Sequence, residues 1–494
     1  RRRDYLWDGL ALYGLAVLCF VLAWRYATAR SEKVRTTPGW SGPLGTWLRA
    51  YPGPTGLVVL GLALSGLATL LSLGREWNQA TYDIVIVWLL GVACVVVAAV
   101  WPAIWPLRID WQWRSRLAEI SRETWLELAV VAGLAVVAFM LRVTALDRVP
   151  YTLSGDEAWF GLTARQVITG ELRNPFVTAH VSMPTFFYWP ISWAMRSVEN
   201  GMVGLRLPSA LVGTATVPAL YLLARHIWGR RMAFLSAALL AGYDYHIHYS
   251  RLGTNNVWDA LFAVLTFWAL DVGLTATDEA KRRRALILAG LVMGSSAYFY
   301  TGARLLPVLV AAYLVFYWVQ KRWQNGTAAQ AEGPGWQLAL VPLAFLVVAG
   351  PMLAFSLTHP DDWNARINQV GIIQSGWLAR EPGLTGKSTA KILAEQFLRA
   401  AGAFHVFPDR TVWYGADRPL LGFLAGICGV LGMAWAAVHW RERRYYLVLL
   451  WFWAAIITGG VLTESPPSSQ RLVVAIPAVV LLVAIGIDQT AALA

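Results

Sequence analysis

A short acidic stretch at residues 154–160, SGDEAWF, carries the side chains best suited to chemistry in this sequence. Ser154 and Glu157 have the spacing of a capping box, in which two side chains close the first turn of a helix. Asp156 is not needed as a cap, and the helix dipole at the first turn favours its ionised form. The pattern therefore predicts a helix over residues 158–169, with Asp156 at its start as a general base that is ionised near neutral pH and correspondingly weak. Glu157 is expected to serve either as a cap or as a second catalytic carboxylate.

Five more ionisable residues lie at the edges of apolar segments or close beyond them. An ionisable residue at the edge of a membrane span is a functional-site hypothesis by default. Plainer readings also exist: an arginine can anchor a span at the interface, an aspartate can cap a helix start, and a histidine can be solvated in a loop. The five residues are His180, Arg251, Asp259, Arg304 and Arg471.

The composition is that of a membrane protein. Of 494 residues, 57% are hydrophobic and 14% are charged, whereas charged residues make up about a quarter of a soluble domain. Apolar runs recur at the roughly 17–25 residues that a helix needs to cross a bilayer. We therefore predict an all-α polytopic membrane protein with about 13 spans. They are residues 9–27, 54–73, 82–101, 125–143, 206–226, 232–248, 257–274, 285–300, 305–319, 337–357, 419–438, 446–462 and 472–488.

The charge pattern orients these spans. The net charge of +12 comes largely from basic clusters in short connections that fall on one side of the alternation, which indicates the cytoplasmic side and contact with anionic lipids rather than with nucleic acid. Two long outer loops follow, 144–204 and 358–418. The second loop contributes further candidates for substrate contact, which a solvated loop would explain equally well. They are His359, Asp361, Asp362, His405 and Asp409.

The ordered set of motifs resembles the GT-C glycosyltransferases, in particular the bacterial branch related to protein O-mannosyltransferases and aminoarabinose transferases (glycosyltransferase families 39 and 83). The resemblance runs from about residue 125 to 490. One departure is Val181-Ser182-Met183, where two adjacent prolines are common. The matching motifs are the Asp156-Glu157 pair, the segment from His180 to Trp189, the segment from Gly253 to Asp259, Arg304-Leu305-Leu306-Pro307, and Arg471 through Pro477.

The resemblance implies a GT-C type transmembrane bundle and a domain division. Residues 1–124 would form a three-span N-terminal extension, 125–357 the catalytic module with the first outer loop, 358–418 the second outer loop, and 419–494 the C-terminal spans. It also implies an enzyme of the bacterial inner membrane that transfers a sugar from a polyprenyl-phosphate donor. The transfer would invert the anomeric carbon and take place on the extracytoplasmic side. The acceptor would be a hydroxyl, an amine or a lipid phosphate on a protein, lipid or glycan.

The resemblance also assigns roles to residues. Asp156 would be the base, with Glu157 as the second catalytic residue. Arg304, Arg471 and Arg251 would hold the donor phosphate, and the need for a divalent cation stays open. His180 and Asp259 would orient the substrate or a metal. Chemistry at a phosphate leaving group needs one base plus cations, unlike the paired acid and base of a glycoside hydrolase.

Two other functions remain open from the sequence. A transporter or flippase of a lipid-linked sugar is the first, but it would place charges near the bilayer midplane in broken spans, whereas here they gather at the outer edge. A non-catalytic subunit of a membrane complex is the second. The sequence does not determine the sugar, the acceptor or the oligomeric state.

Overall fold

The computed structural model describes residues 52–104, 121–325, 335–411, 414–415 and 417–493. Within these ranges the chain is helical, and its only β-type pairing consists of two isolated bridges. The predicted all-α class is confirmed. The predicted span 9–27 lies outside the described residues, as do most of the connection before residue 53 and part of the connection 102–124.

Nineteen α-helices are numbered in chain order through the described residues. They are α1 (Pro52–Ser72), α2 (Tyr82–Ile104), α3 (Arg122–Val143), α4 (Gly155–Thr169), α5 (Tyr188–Ser197), α6 (Gly201–Ile227), α7 (Arg230–Gly242), α8 (Asp244–Ser250), α9 (Asn256–Thr275), α10 (Glu279–Ser296), α11 (Leu305–Asn325), α12 (Leu340–Thr358), α13 (Pro360–Val370), α14 (Trp377–Thr385), α15 (Thr389–Ala401), α16 (Phe423–Val438), α17 (Arg443–Ile456), α18 (Ser469–Leu472) and α19 (Ile476–Leu493). A π-helical turn, Ile457–Val461, extends α17.

Nine helical segments in the described part of the chain are long and apolar enough to cross a membrane. They contain α1, α2, α3, α6, α9, α11, α12, α17 and the continuous run from α18 to α19. Three other predicted spans coincide with helices that are shorter or more polar, namely α7, α10 and α16. The molecule is therefore a multi-pass membrane protein, while the total of about thirteen spans stays a prediction. The domain division likewise stays a prediction.

Close helix packing depends on small residues at specific crossings. A Cβ atom added at Gly432 of α16 would collide with the carbonyl oxygen of Leu482, and one added at Gly486 of α19 would collide with that of Cys428. Without a hydrophobic driving force between helices in lipid, such backbone approach is how membrane helices gain contact. The C-terminal helix is thereby held against its neighbours.

On the side of the bundle that the charge pattern predicts to face outward, the ends of several spans meet at one place. Helix α4 follows the outer end of α3, α13 follows that of α12, and α9 and α18 begin there. The first outer segment, 144–200, packs its aromatic side chains into a core of its own, in which Phe176, Phe187 and Tyr188 are fully buried. Chain segments that are distant in sequence thus surround one opening.

Candidate functional site

A cavity of about 280 Å³ opens at this meeting point. Its wall is formed by the start of α4, the turn at residues 180–183, residues 254–256, Tyr300, helix α13 and Gln470. A cavity with a few convergent polar groups is the default location of an active site. Of the site residues predicted from the sequence, Asp156 and His180 line it directly.

The capping box that places Asp156 is confirmed. The Ser154 hydroxyl accepts a hydrogen bond from the backbone N–H of Glu157 at 3.1 Å, and the Glu157 carboxylate accepts one from the N–H of Ser154 at 3.3 Å. Gly170 ends the helix with a φ of 78°, a left-handed conformation that glycine adopts without strain. Asp156 is therefore held in the first turn, facing the cavity.

Glu157 points away from the cavity and is fully buried. Its Oε1 accepts from Arg206 Nε at 2.8 Å and from the backbone N–H of Gly253 at 2.8 Å, and its Oε2 accepts from Arg206 Nη2 at 3.2 Å. Arg206 is also fully buried. This carboxylate links α4 to α6 and to the segment before α9 and lies outside the cavity wall, and its assignment as a second catalytic residue stays a prediction.

The protonation behaviour of Asp156 differs from the sequence expectation. Removal of the carboxylate from water in the recess raises the pKa of Asp156 above its usual range, while the charges of Arg366 and His180 oppose that rise. Desolvation thus outweighs both the neighbouring cations and the helix dipole. An acid with a raised pKa is a stronger base once it has lost its proton, so the expectation of a weak base is wrong.

Arg366 is a cavity residue that the sequence reasoning missed. It lies on α13, its backbone N–H donates to the Ser182 hydroxyl at 2.9 Å, and its Nη1 donates to Gln369 Oε1 at 3.1 Å. The candidates predicted from the sequence in this loop were only acids and histidines. The sequence signal that could have found Arg366 was the amphipathic pattern of this helix. In the structure its buried residue is Trp363.

The turn at residues 180–182 has an unusual backbone. Val181 and Ser182 have φ values of 53° and 62°, in the left-handed region that a β-branched residue rarely adopts. The bridge between Thr178 and Pro184 closes this turn. It places the His180 ring 4.7 Å from the Trp159 ring, and it orients Ser182 toward α13. Where the family commonly has two adjacent prolines, this chain therefore has a tight left-handed turn at the cavity wall.

Tyr300 lines the cavity, and the buried Asp259 lies close enough for its charge to act on Tyr300. Asp259 is 2% exposed, and its Oδ1 has no hydrogen-bond partner among the described residues. A Cβ atom at Gly302 would collide with the Asp259 carboxylate. Tyr300 is subject to the charges of Arg366, Asp259, Arg471 and Asp156 together, and its burial raises the pKa of its hydroxyl. Acids and cations from four chain segments therefore converge around one phenol.

The three arginines assigned to the donor phosphate have different positions. The guanidinium carbon of Arg304 lies 3.7 Å from the ring centroid of Trp363, and Nη2 donates to the Trp363 carbonyl at 2.7 Å. Arg471 Nη1 donates to the Glu464 carbonyl at 2.7 Å, while its buried Nε has no hydrogen-bond partner in the described part of the chain. Both residues flank the cavity without lining it.

Arg251 lies elsewhere. Its guanidinium donates to the backbone carbonyls of Leu141, Thr144 and Val149 at 2.7–3.1 Å. These bonds fix the connection between α3 and α4, and they leave Arg251 outside the cavity wall. The assignment of Arg251 to the donor phosphate stays a prediction.

The candidates of the second outer loop also lie outside the cavity wall. Asp409 accepts a hydrogen bond from the backbone N–H of Ser469 at 3.0 Å, His359 stacks on Phe355, and Asp361 and Asp362 are exposed. The fifth candidate, His405, is half-buried beside α16. No group of three or more His, Cys, Asp or Glu residues in the described ranges could hold a metal ion, and the question of a cation stays open.

Several proteins to which this chain is similar are described as sugar transferases. Residues 182–332, which contain Asp259 and Arg304, match the family described as dolichyl-phosphate-mannose-protein mannosyltransferase. An undecaprenyl phosphate-alpha-4-amino-4-deoxy-L-arabinose arabinosyl transferase of Pseudomonas aeruginosa is 28% identical over 255 residues, 49% of this chain and 42% of that protein. The predicted resemblance is confirmed. A Pseudomonas fluorescens protein of the same description is 26% identical over 212 residues, 41% of this chain and 36% of its own length.

The matched part of the chain spans less than half the length of these curated relatives. Among solved structures, ArnT from Cupriavidus metallidurans in the apo state aligns with a TM-score of 0.47 and 17% identity, over 75% of this chain and 60% of that one. The Archaeoglobus fulgidus oligosaccharyltransferase aligns with a TM-score of 0.43 and 16% identity, over 73% and 49% of the two chains.

Proposed function

We propose that this chain is a membrane glycosyltransferase that moves a sugar from a polyprenyl-phosphate donor to an acceptor on the outer side of the bacterial inner membrane. The observation that carries the proposal is the cavity at the outer ends of the spans, where Asp156 and Arg366 share one wall. The relatives named for arabinosyl transfer from undecaprenyl phosphate support the donor class. The position at the bilayer edge, instead of the midplane, favours chemistry over transport.

The cations around the cavity are arranged for an anion. The positive charge of Arg366 acts directly on Arg471, and both act on Tyr300. Two guanidinium groups that repel each other gain most when a phosphate lies between them, because charge-assisted hydrogen bonds are strong and often bidentate. We assign the donor phosphate to Arg366 and Arg471, with Arg304 supporting α13 through Trp363.

Asp156 supplies the base. It takes the proton from an acceptor hydroxyl as that oxygen bonds to the anomeric carbon. The bond from this carbon to the phosphate oxygen breaks, its electron pair leaves with the polyprenyl phosphate, and the sugar inverts. The cations stabilise the charge that develops on the leaving phosphate. Glu157 holds Asp156 in place, His180 orients the substrates from the cavity wall, and the buried Asp259 acts on them through Tyr300.

Mass spectrometry of lipid that co-purifies with the Asp156→Asn chain tests this proposal. Without its base the protein should retain an unreacted donor, so a glycosylated polyprenyl phosphate should be enriched relative to the wild-type protein. Asp147→Asn is the matched control, because Asp147 lies on the same side of the membrane but outside the cavity wall. Absence of any polyprenyl-phosphate lipid from both preparations would contradict the donor assignment.

A further inference from the structure

A second cavity lies in the other outer segment, outside the wall of the proposed active site. It has a volume of about 230 Å³ and is formed by α14, α15, Arg410 and Ser465. We call it the loop cleft. An isolated bridge between Gly371 and Thr463, and a hydrogen bond of 3.1 Å from the N–H of Ile372 to the Leu462 carbonyl, join the two chain segments that contribute to both cavities.

The charges in the loop cleft are not balanced internally. Lys387 is paired with Glu395, with Nζ at 2.7 and 2.8 Å from the two carboxylate oxygens. The guanidinium groups of Arg399 and Arg410 line the cleft and make no hydrogen bond or ion pair with any residue that the structure describes. Glu381 is the other acid in the lining. The charge of Arg399 also acts on Glu395, so the lining holds three cations against two carboxylates, and the excess positive charge leaves the cleft suited to a small anion.

Helix α15, which forms one side of the cleft, packs against a membrane span. On α15, Phe397 stacks on Trp453 of the span that contains α17, with ring centroids 6.0 Å apart and nearly parallel planes. A helix with one apolar face and basic residues on the other is typical of the bilayer interface, where aromatic rings are enriched. The anion in this cleft would therefore meet the headgroup layer.

Exposed apolar side chains neighbour two cleft residues along the chain. Leu384 and Leu398 are largely exposed and adjoin the cleft residues Thr385 and Arg399 in the sequence. Apolar side chains beside paired cations fit a ligand with a charged head and an acyl chain, whereas a free anion would use only the arginines.

We propose that the loop cleft binds the phosphate group of an anionic lipid, with Arg399 and Arg410 on the phosphate and the apolar edge against the acyl chains. Phosphate matches the planar fork of a guanidinium group. This binding does not depend on the proposed sugar transfer, so its test measures lipid binding alone.

Native mass spectrometry of the full chain, released from neutral detergent micelles with added phosphatidylglycerol or phosphatidylcholine, tests the proposal. We expect a one-lipid adduct with phosphatidylglycerol that falls at least about fivefold in the Arg399→Gln/Arg410→Gln double variant, corresponding to about 1 kcal/mol of binding free energy. Equal adducts in the double variant and the wild type would overturn the proposal, and so would equal binding of phosphatidylcholine.

Two controls make the result specific. Arg380→Gln removes an exposed arginine of α14 that lies outside the cleft, and it should leave the adduct unchanged. Inorganic phosphate is added as a competitor at the lipid concentration. If it displaces phosphatidylglycerol completely, the cleft is a free-phosphate site and the lipid assignment is wrong. An unchanged thermal unfolding temperature shows that the double variant is folded.

Discussion

The two outer segments are built differently. The first, 144–200, has an aromatic core and is joined to α6 by a fully buried carboxylate–guanidinium pair, Glu157 with Arg206. The second, 359–418, contains α14, which has no buried residue, and its contacts with other elements include the bond from the Arg366 N–H to Ser182 and the stacking of Arg304 on Trp363. The proposed base therefore belongs to a segment fixed by a buried ion pair, which we call the wall, and the proposed phosphate ligand Arg366 belongs to a segment held by hydrogen bonds and ring contacts, which we call the cover.

The largest expected effect is a loss of activity without a loss of stability, caused by a substitution in the wall. Asp156→Asn should lower sugar transfer about 10²–10⁴-fold, the usual contribution of a general base, because the amide cannot accept the acceptor proton. The thermal unfolding temperature should stay at the wild-type value, since Asp156 is not the cap. Measurement of transfer by the reconstituted protein checks this, with Asp147→Asn as control. Wild-type transfer would remove Asp156 from the mechanism.

The neighbouring carboxylate should behave in the opposite way. Glu157→Gln leaves Arg206 charged and buried without its counter-ion, which we expect to destabilise the fold by about 3–5 kcal/mol. Unfolding followed by circular dichroism in detergent measures the loss. A Glu157→Gln chain that is as stable as wild type but inactive would show that Glu157 is catalytic, as the sequence allowed.

A substitution of Arg366 tests whether the cover contributes to donor binding. Arg366→Gln should raise KM for the donor at least about tenfold, since a charge-assisted hydrogen bond to phosphate is worth about 1.5–3 kcal/mol. Steady-state kinetics at varied donor concentration provides the measurement. Arg380→Gln, in the same segment but outside the cavity, should keep the wild-type KM. A change in kcat with no change in KM would move Arg366 from donor binding to another step.

The pH dependence of sugar transfer depends on both Asp156 in the wall and Arg366 in the cover. Because the base must be deprotonated, kcat/KM should fall as the pH falls through the pKa of Asp156, and this fall should begin above the usual range of an aspartate. The Arg366 charge lowers that pKa, so Arg366→Gln should move the acid limb to higher pH. An acid limb at the ordinary aspartate position in both proteins would contradict the desolvation argument.

The smallest expected effect concerns the strained turn. Val181→Gly should stabilise the fold by about 1 kcal/mol, because relief of a left-handed β-branched residue, about 1–3 kcal/mol, exceeds the entropic cost of glycine. Thermal unfolding measures it. Ala179→Gly, next to the turn but at a φ of −91°, should destabilise instead.

The sequence predicted what local patterns determine. Apolar run lengths placed most of the spans, and the Ser154/Glu157 spacing placed the start of α4, because capping and hydropathy act within a few residues. The sequence could not show that Glu157 meets Arg206, 49 residues away, or that Arg251 serves backbone carbonyls. It also missed Arg366, since the contact between α13 and Ser182 joins residues 184 positions apart.

The link from Glu157 to Gly253 has a mechanical consequence. The residue next to the proposed base is tied to α6 and to the entry of α9, so the base cannot swing toward a reactant without dragging two spans with it. Substrates must therefore travel to a stationary carboxylate.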